Sequence, residues 1–276
     1  RYAGEPVALV VAQDEATAKL ATGLINVEYK KLPVSLTPAQ SLAKTAPLIH
    51  EETNSYKKML DDIYPENGTN IASRYRMQKG DAKKALETSP YVAHLNFFLP
   101  PSGHMQMEVR TARAEISSDA TVRITTSSQA PYSVRSQISE AFSIPAGKIK
   151  VIVPFVGGGY GGKAPVMLEI LAFLASRAVG GKAVRLTISR EQDISAPPCR
   201  IGMEASIKIG ASETGNIQAA DLIYKLDCGA YTDIAPYMAK AVAMDCTGPY
   251  NIENLLCESL CVYTNHTYAT SYRSFA

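Results

Sequence analysis

The sequence predicts an α+β protein with mixed sheets, and three observations carry that reading. Strand-like apolar segments recur along the chain, helix-compatible patterns separate some of them, and the last third runs strand after strand with turn residues between. A repeated β-α array would alternate to the end, which this chain does not do. Its 276 residues suffice for a large core or two domains, and 46% hydrophobic with 20% charged residues is the composition of an ordered globular chain.

Taken in order, Pro6 to Ala12 reads as a buried strand, Asp14 to Gly23 as a helix with Ala18, Leu20 and Ala21 inward, and Ile25 to Tyr29 as a second strand, together a small β-α-β unit. The following region is polar and mixed, with a turn signal from Pro65 to Gly68 and a short helix expected around Tyr56 to Ile63. Val92 to Phe98 and Ala112 to Ser117 have strand character, and Thr121 to Thr126 alternates with period two. Pro131 to Phe142 places Val134, Ile138 and Phe142 on one side of a helix, and Lys148 to Val153 is again a strand. Pro165 suits the start of the next helix, Gly180-Gly181 its end, and Val184 to Ile188 returns as a strand. Glu204 to Ile209, Ile217 to Leu226 and Leu255 to Tyr263 form a strand-rich meander, with turns at Glu213 to Gly215 and at Gly248-Pro249.

Composition excludes several function classes. A net charge of +2 offers no basic face for nucleic acid, and Lys57-Lys58 and Lys83-Lys84 read as solvated positions. The most apolar helix candidate, Val166 to Val179, is shorter than the about 20 residues that cross a bilayer, so no membrane span is predicted. Five cysteines, odd in number and unevenly spaced, suit reduced thiols in a cytoplasmic protein better than a disulfide framework. Cys257 and Cys261 share one face of an alternating strand with no second pair, and so read as small buried residues rather than half of a zinc site. His50, His94 and His104 lie far apart without metal spacing.

The stretch from Val151 to Val166 carries the strongest functional signal. Five of the six positions from Gly157 to Gly162 are glycine, the sixth is Tyr160, and Lys163 follows. Glycine tolerates positive φ and lets another group approach the main chain, so the loop reads as a ligand cradle. Gly157, Gly159 and Gly162 fit a dinucleotide fingerprint, and Gly157 with Gly162-Lys163 fits most of a P-loop. Against the P-loop, Ala164 stands where a hydroxyl would hold magnesium, and Pro165 removes a backbone donor. Against the dinucleotide, no acidic residue falls about 20 positions on, and the first candidates are Glu191 and Asp193. A P-loop or dinucleotide-binding protein, a glycine-rich turn without a ligand and some other cradle all stay open on these residues alone.

Further stretches, in order, resemble one known family. Arg1 to Ala12 with Val27 to Pro33, Asn70 with Gly80-Asp81, His104 to Glu108, Ser128 to Pro131, Gly157 to Lys163, and Thr264-Asn265 through Tyr272 to Phe275 are similar to successive segments of one polypeptide. That polypeptide is the molybdopterin-binding large subunit of the xanthine dehydrogenase and aldehyde oxidase family of molybdenum hydroxylases. Each motif alone is weak, but the ordered series covers the whole chain.

The resemblance implies that residues 1–45 end a small hammerhead-like domain, that 46–88 form a connector, and that 89–276 form the first molybdopterin-binding domain, truncated before its second half. It implies that Gly159, Tyr160 and Gly161 pack against molybdopterin, that Gln129 donates its amide to the cofactor, and that Arg273 meets cofactor and substrate entrance. Tyr160, Tyr272 and Phe275 would line the pocket for a flat substrate. A pterin dithiolene binds molybdenum through its own sulfurs, so no direct protein ligand is expected.

Departures from the family pattern narrow the substrate. Ala164 replaces the glutamate of purine-hydroxylating members, alanine stands within Lys240 to Met244 where they carry arginine, and Arg273 abuts Ser274 without the copper-binding cysteine of carbon monoxide-oxidising members. An aldehyde or an N-heteroaromatic acid remains, oxidised with water as oxygen source. The family's base glutamate falls beyond Ala276, and Glu108, Glu140 and Glu169 do not match it, so this polypeptide alone is expected to be inactive. Implied partners are the C-terminal molybdopterin-binding half, an iron-sulfur subunit and an FAD subunit; a non-catalytic remnant or assembly module is the alternative.

Overall fold

The structure, a computed structural model, describes residues 1–56 and 65–273. The helix expected around Tyr56 to Ile63 falls almost wholly outside the described residues, as does Phe275. In chain order the elements are α1 (Glu15–Thr22), α2 (Pro38–Ser41), β1 (Ile71–Lys79), α3 (Ala82–Thr88), β2 (Tyr91–Leu99), β3 (Thr111–Ile116), β4 (Val122–Thr126), α4 (Pro131–Phe142) and β5 (Ile149–Ile152). They continue with α5 (Leu168–Ala178), β6 (Val184–Thr187), α6 (Arg190–Ser195), β7 (Cys199–Arg200), β8 (Gly202–Ala211), β9 (Ile217–Gly229), α7 (Ala235–Met244), β10 (Asn254–Tyr263) and β11 (Ala269–Thr270). Two compact units interleave in sequence: Gly4–Leu32 with His104–Pro197, and Arg1–Ala3 with Pro33–Gly103 and Pro198–Ala276.

The first unit is built on a four-stranded mixed sheet in the order β5-β4-β3-β6. β4 and β5 are parallel, as the intervening α4 requires, and the other pairings are antiparallel. Val134 and Ile138, four residues apart on α4, are fully buried in the core this sheet shares with α5. Ala112 and Ala114 on β3 are fully buried too, and their small side chains let α5 lie directly on the strand. Phe173 of α5 packs against Phe142 with the rings tilted by 50° and 4.7 Å between centroids, and its burial contributes about 2–3 kcal/mol. Arg177 lays its guanidinium over both rings at 5.3 and 5.7 Å, covering the aromatic pair with a charge that stays partly wet.

The second unit holds a five-stranded sheet in the order β1-β10-β9-β8-β2. β9 and β10 run parallel and every other neighbour is antiparallel. α7 is the crossover between β9 and β10, and Ala235, Met238, Ala239 and Ala243 bury its inner face against them. Cys257 and Cys261 are fully buried on β10, as two small residues of the same strand face should be.

The α+β class with mixed sheets is what the sequence predicted, but several elements differ. Pro6 to Ala12 and Ile25 to Tyr29 form no strand; of that expected β-α-β stretch only α1 is regular, and Leu20 points outward. Apolar composition favours a strand only where a partner strand exists, and among the described residues these segments have none. The polar region between 46 and 88 carries β1 and α3, both part of the second unit, rather than only a connector. α5 begins at Leu168, three residues after Pro165, and the C-terminal meander is interrupted by α7.

Candidate functional site

The glycine loop leaves β5 at Ile152 and does not open directly into a helix: Ala164 to Met167 separate Lys163 from α5. The helix N-terminus is occupied by its own chain, since Glu169 accepts the Met167 N–H (3.0 Å) and the Thr126 hydroxyl (2.7 Å). A phosphate-binding loop of either nucleotide type needs that N-terminus for its anion. Lys163 is likewise committed. Its side chain is 1% exposed and its ammonium sits 2.6 Å from Glu108 Oε2. Asp193, a candidate for holding a ribose, is buried against Arg110, Gln106 and Arg190. The nucleotide readings lose their lysine, one of their two acid candidates and their helix end.

What remains is a loop held from behind. Glu108 Oε2 accepts the Gly157 N–H at 2.8 Å, and the Glu108 N–H donates to Gly157 O at 3.1 Å. Burial pushes the Glu108 carboxyl up, but the Lys163 ammonium and the Gly157 N–H outweigh it and hold the group below the ordinary carboxylate value. Arg110 donates to Gly162 O (2.6 Å) while pairing with Asp193, so a second buried charge pair fixes the far side of the loop. A Cβ at Gly157 would run into Glu108, and one at Gly162 into the His104 ring, which is why these positions exclude side chains.

Gln129 meets the loop from the segment between β4 and α4. Its Oε1 accepts the Gly161 N–H (3.0 Å) and the Lys163 N–H (3.2 Å), and its own main-chain N–H donates to Lys163 O (2.9 Å). Because the carbonyl end of the amide is engaged with these two donors, the Nε2 end is left as an uncommitted donor on an exposed side chain. A Cβ at Gly159 would overlap the Gln129 amide. Gly158, Tyr160 and Gly161 all have positive φ, at 94°, 53° and 99°. For Tyr160 that conformation costs about 1 kcal/mol, and it persists because both ends of the loop are fixed. The N–H groups of Gly158, Gly159 and Tyr160 have no acceptor among the described residues, with Gly159 buried beneath the Gln129 amide.

The structure thus brings together Gln129, Gly159, Tyr160 and Gly161. Tyr272 and Arg273 belong to the second unit, Arg273 exposed and Tyr272 half-buried. The segment leading to them is anchored by two aspartates. Asp227 accepts from the Thr264 hydroxyl (2.5 Å), Gly229 N–H (3.0 Å) and His266 Nδ1 (3.0 Å), and Asp233 accepts from the Thr270 hydroxyl (2.6 Å). The bond to Asp227 raises the His266 pKa above the ordinary imidazole value against the opposing effect of burial. Sequence reasoning missed the clamps: Glu108 and Lys163 are 55 positions apart, Arg110 and Asp193 83, and no local pattern joins them.

Comparison with known proteins fits this geometry. The family model for the molybdopterin cofactor-binding domain matches residues 63–276. The chain is 31% identical over 241 residues to the xanthine dehydrogenase molybdenum-binding subunit of Escherichia coli, covering 87% of this chain and 30% of that protein. It is 25% identical to the nicotinate dehydrogenase large molybdopterin subunit of Eubacterium barkeri, covering 100% of this chain and 60% of that one. Its fold matches the aldehyde oxidoreductase of Desulfovibrio gigas with a TM-score of 0.86 at 22% identity, over 96% of this chain and 28% of that one. The chain belongs to the molybdopterin cofactor-binding domain family, among the xanthine dehydrogenase and aldehyde oxidase type of molybdenum hydroxylases. It spans about a third of the length of the first curated relatives it matches.

The residues present suit such a cofactor. A pterin that brings its own sulfur ligands asks the protein for close approach and directed donors, and the loop supplies bare main chain, three open N–H groups and the Gln129 amide. No helix of the described residues is long and apolar enough to cross a membrane.

Proposed function

We propose that this chain is part of a molybdenum hydroxylase and that its glycine loop, with Gln129, holds the molybdopterin. The observation that carries the reading is the geometry of that loop: side chains excluded by glycine, lysine withdrawn into an ion pair, and main-chain donors left open beside an uncommitted amide. Gly159, Tyr160 and Gly161 would pack against the cofactor, the Nε2 of Gln129 would donate to it, and Tyr160, about half exposed, would also wall the substrate pocket. Tyr272, Arg273 and Phe275 are assigned to substrate binding by the family resemblance alone. When bound, the cofactor supplies two-electron oxidation of a carbon centre with oxygen from water. The chain's own residues keep bulky side chains out of the loop, orient donors and fix the cradle.

The substrate class we infer is an aldehyde or an N-heteroaromatic acid. Ala164 in place of a pocket carboxylate supports it, as does similarity along the whole chain to the large molybdopterin subunit of a nicotinate dehydrogenase. The remaining molybdopterin-binding half, an iron-sulfur subunit and an FAD subunit are the proposed partners, with residues 1–45 as the end of a preceding domain. Five thiols, none in a disulfide, support a reducing cytoplasm.

The test is to express the whole enzyme that carries this chain, measure molybdenum per polypeptide, and follow reduction of an artificial electron acceptor with aldehydes, nicotinate and xanthine. Stoichiometric molybdenum with turnover of aldehyde or nicotinate is expected. Absence of molybdenum overturns the cofactor assignment, and turnover of xanthine alone overturns the substrate class.

A further inference from the structure

We propose that Glu108 is a positioning residue for the cofactor, acting through the two ends of the glycine loop; the inference rests on the reading of that loop as the molybdopterin cradle. One carboxylate oxygen, Glu108 Oε2, accepts both the Gly157 N–H at 2.8 Å and the Lys163 ammonium at 2.6 Å. Gly157 and Lys163 bound the loop, so a single atom ties its entrance to its exit. Between them lie the three open N–H groups of Gly158, Gly159 and Tyr160.

The tie reaches further through Lys163. The Lys163 main chain donates to Gln129 Oε1 (3.2 Å) and accepts from the Gln129 N–H (2.9 Å) and the Ser128 hydroxyl (3.3 Å). Without Glu108 the Lys163 ammonium, 1% exposed, would have no charge partner at hydrogen-bond distance among the described residues. A buried ammonium without a counter-charge must lose its proton or leave the interior. Leaving moves the Lys163 backbone, and the Gln129 amide loses the contact that turns its donor outward. Glu108 therefore touches no cofactor in this scheme but sets two groups that do. Its own side chain is a third exposed, so it is the accessible half of the pair, whereas Lys163 is the half that cannot adapt in place.

The experiment uses the whole enzyme and three measurements: amide hydrogen exchange of peptides spanning residues 155–164, molybdenum per polypeptide, and thermal midpoint. Glu108→Gln keeps an acceptor for Gly157 but strands the ammonium. It is expected to quicken loop exchange roughly tenfold and to lower both molybdenum content and the thermal midpoint. Lys163→Met combined with Glu108→Gln removes both charges at similar volume. This double variant is expected to recover the thermal midpoint while the loop stays fast-exchanging and poor in molybdenum, a split that a merely stabilising role would not produce. Wild-type loop exchange and full molybdenum in the double variant overturn the proposal, as does faster exchange with unchanged molybdenum in Glu108→Gln. Failure of the cradle reading itself is visible earlier, as a wild-type enzyme that carries no molybdenum.

Discussion

Two segments of this chain are anchored by carboxylates from elsewhere in the sequence, and they are fixed by different chemistry. In the four-stranded unit the loop from Gly157 to Lys163 is held by Glu108–Lys163 and Arg110–Asp193, charge pairs whose basic members are buried. In the five-stranded unit the segment from Thr264 to Thr270 is held by Asp227 and Asp233, whose donors are hydroxyls, an N–H and an imidazole. The first arrangement depends on two full charges meeting in a low-dielectric place, where loss of one is severe. The second spreads its bonds over mostly neutral donors, each worth about 1–3 kcal/mol to an ionised acceptor. Charge-pair clamps suit a loop that must keep an unusual backbone, while hydroxyl anchors suit a segment that only has to be docked.

Glycine substitutions separate the two regions most sharply. Gly229 has φ +70° and a Cβ there would overlap the carbonyl of Thr267, so Gly229→Ala sets backbone against backbone and has no side chain to move aside. It is expected to destabilise the protein by roughly 4 kcal/mol. Urea unfolding checks this, and a loss near zero would mean that the 264–268 segment is free to shift. Gly159→Ala is the opposite case. Its φ is not positive, and the atoms nearest the added Cβ belong to the exposed Gln129 side chain, which can swing away. Stability should fall by about 1 kcal/mol or less. Molybdenum content of the whole enzyme should nevertheless collapse, because the displaced amide no longer lies on the loop. Full metal content in that variant would show that Gln129 is not needed there.

The same contrast explains what the sequence made legible. From Ala112 to Ile188 strands and helices followed their local periods, because a half-buried strand and an amphipathic helix write their burial into adjacent residues. β1 was hidden because only Ile71, Ala72 and Ser73 of that edge strand are buried, and the rest reads as polar connector. α7 was hidden because its inner face is three alanines with Met238, too small to stand out as an apolar stripe. The segments around Val7 and Val27 misled in the other direction, having strand composition without a strand to pair with. At the site, the glycines announced close approach, and the family resemblance pointed to Gln129. The pairing of Glu108 with Lys163 was written nowhere locally, since it depends on a fold that joins residues 55 positions apart.

The smallest expected effect is also the one that tests both clamps in a single experiment. Glu108 has its pKa lowered from 4.5 in the folded protein, so its contribution is present above 4.5 and lost as pH falls through the folded value. His266 has its pKa raised from 6.5 by Asp227, so its contribution is complete below 6.5 and lost as pH rises through the folded value. Acid should therefore loosen the loop and alkali should loosen the 264–270 segment. Hydrogen exchange, corrected for its intrinsic pH dependence, is expected to show peptides over 155–164 losing protection on the acid side alone and peptides over 264–270 on the alkaline side alone. His266→Gln keeps a donor without a titrating charge and should flatten the alkaline limb while leaving the acid limb in place. If both segments lost protection together at either extreme, the two clamps would be reporting global unfolding, and the distinction between them would have no local meaning.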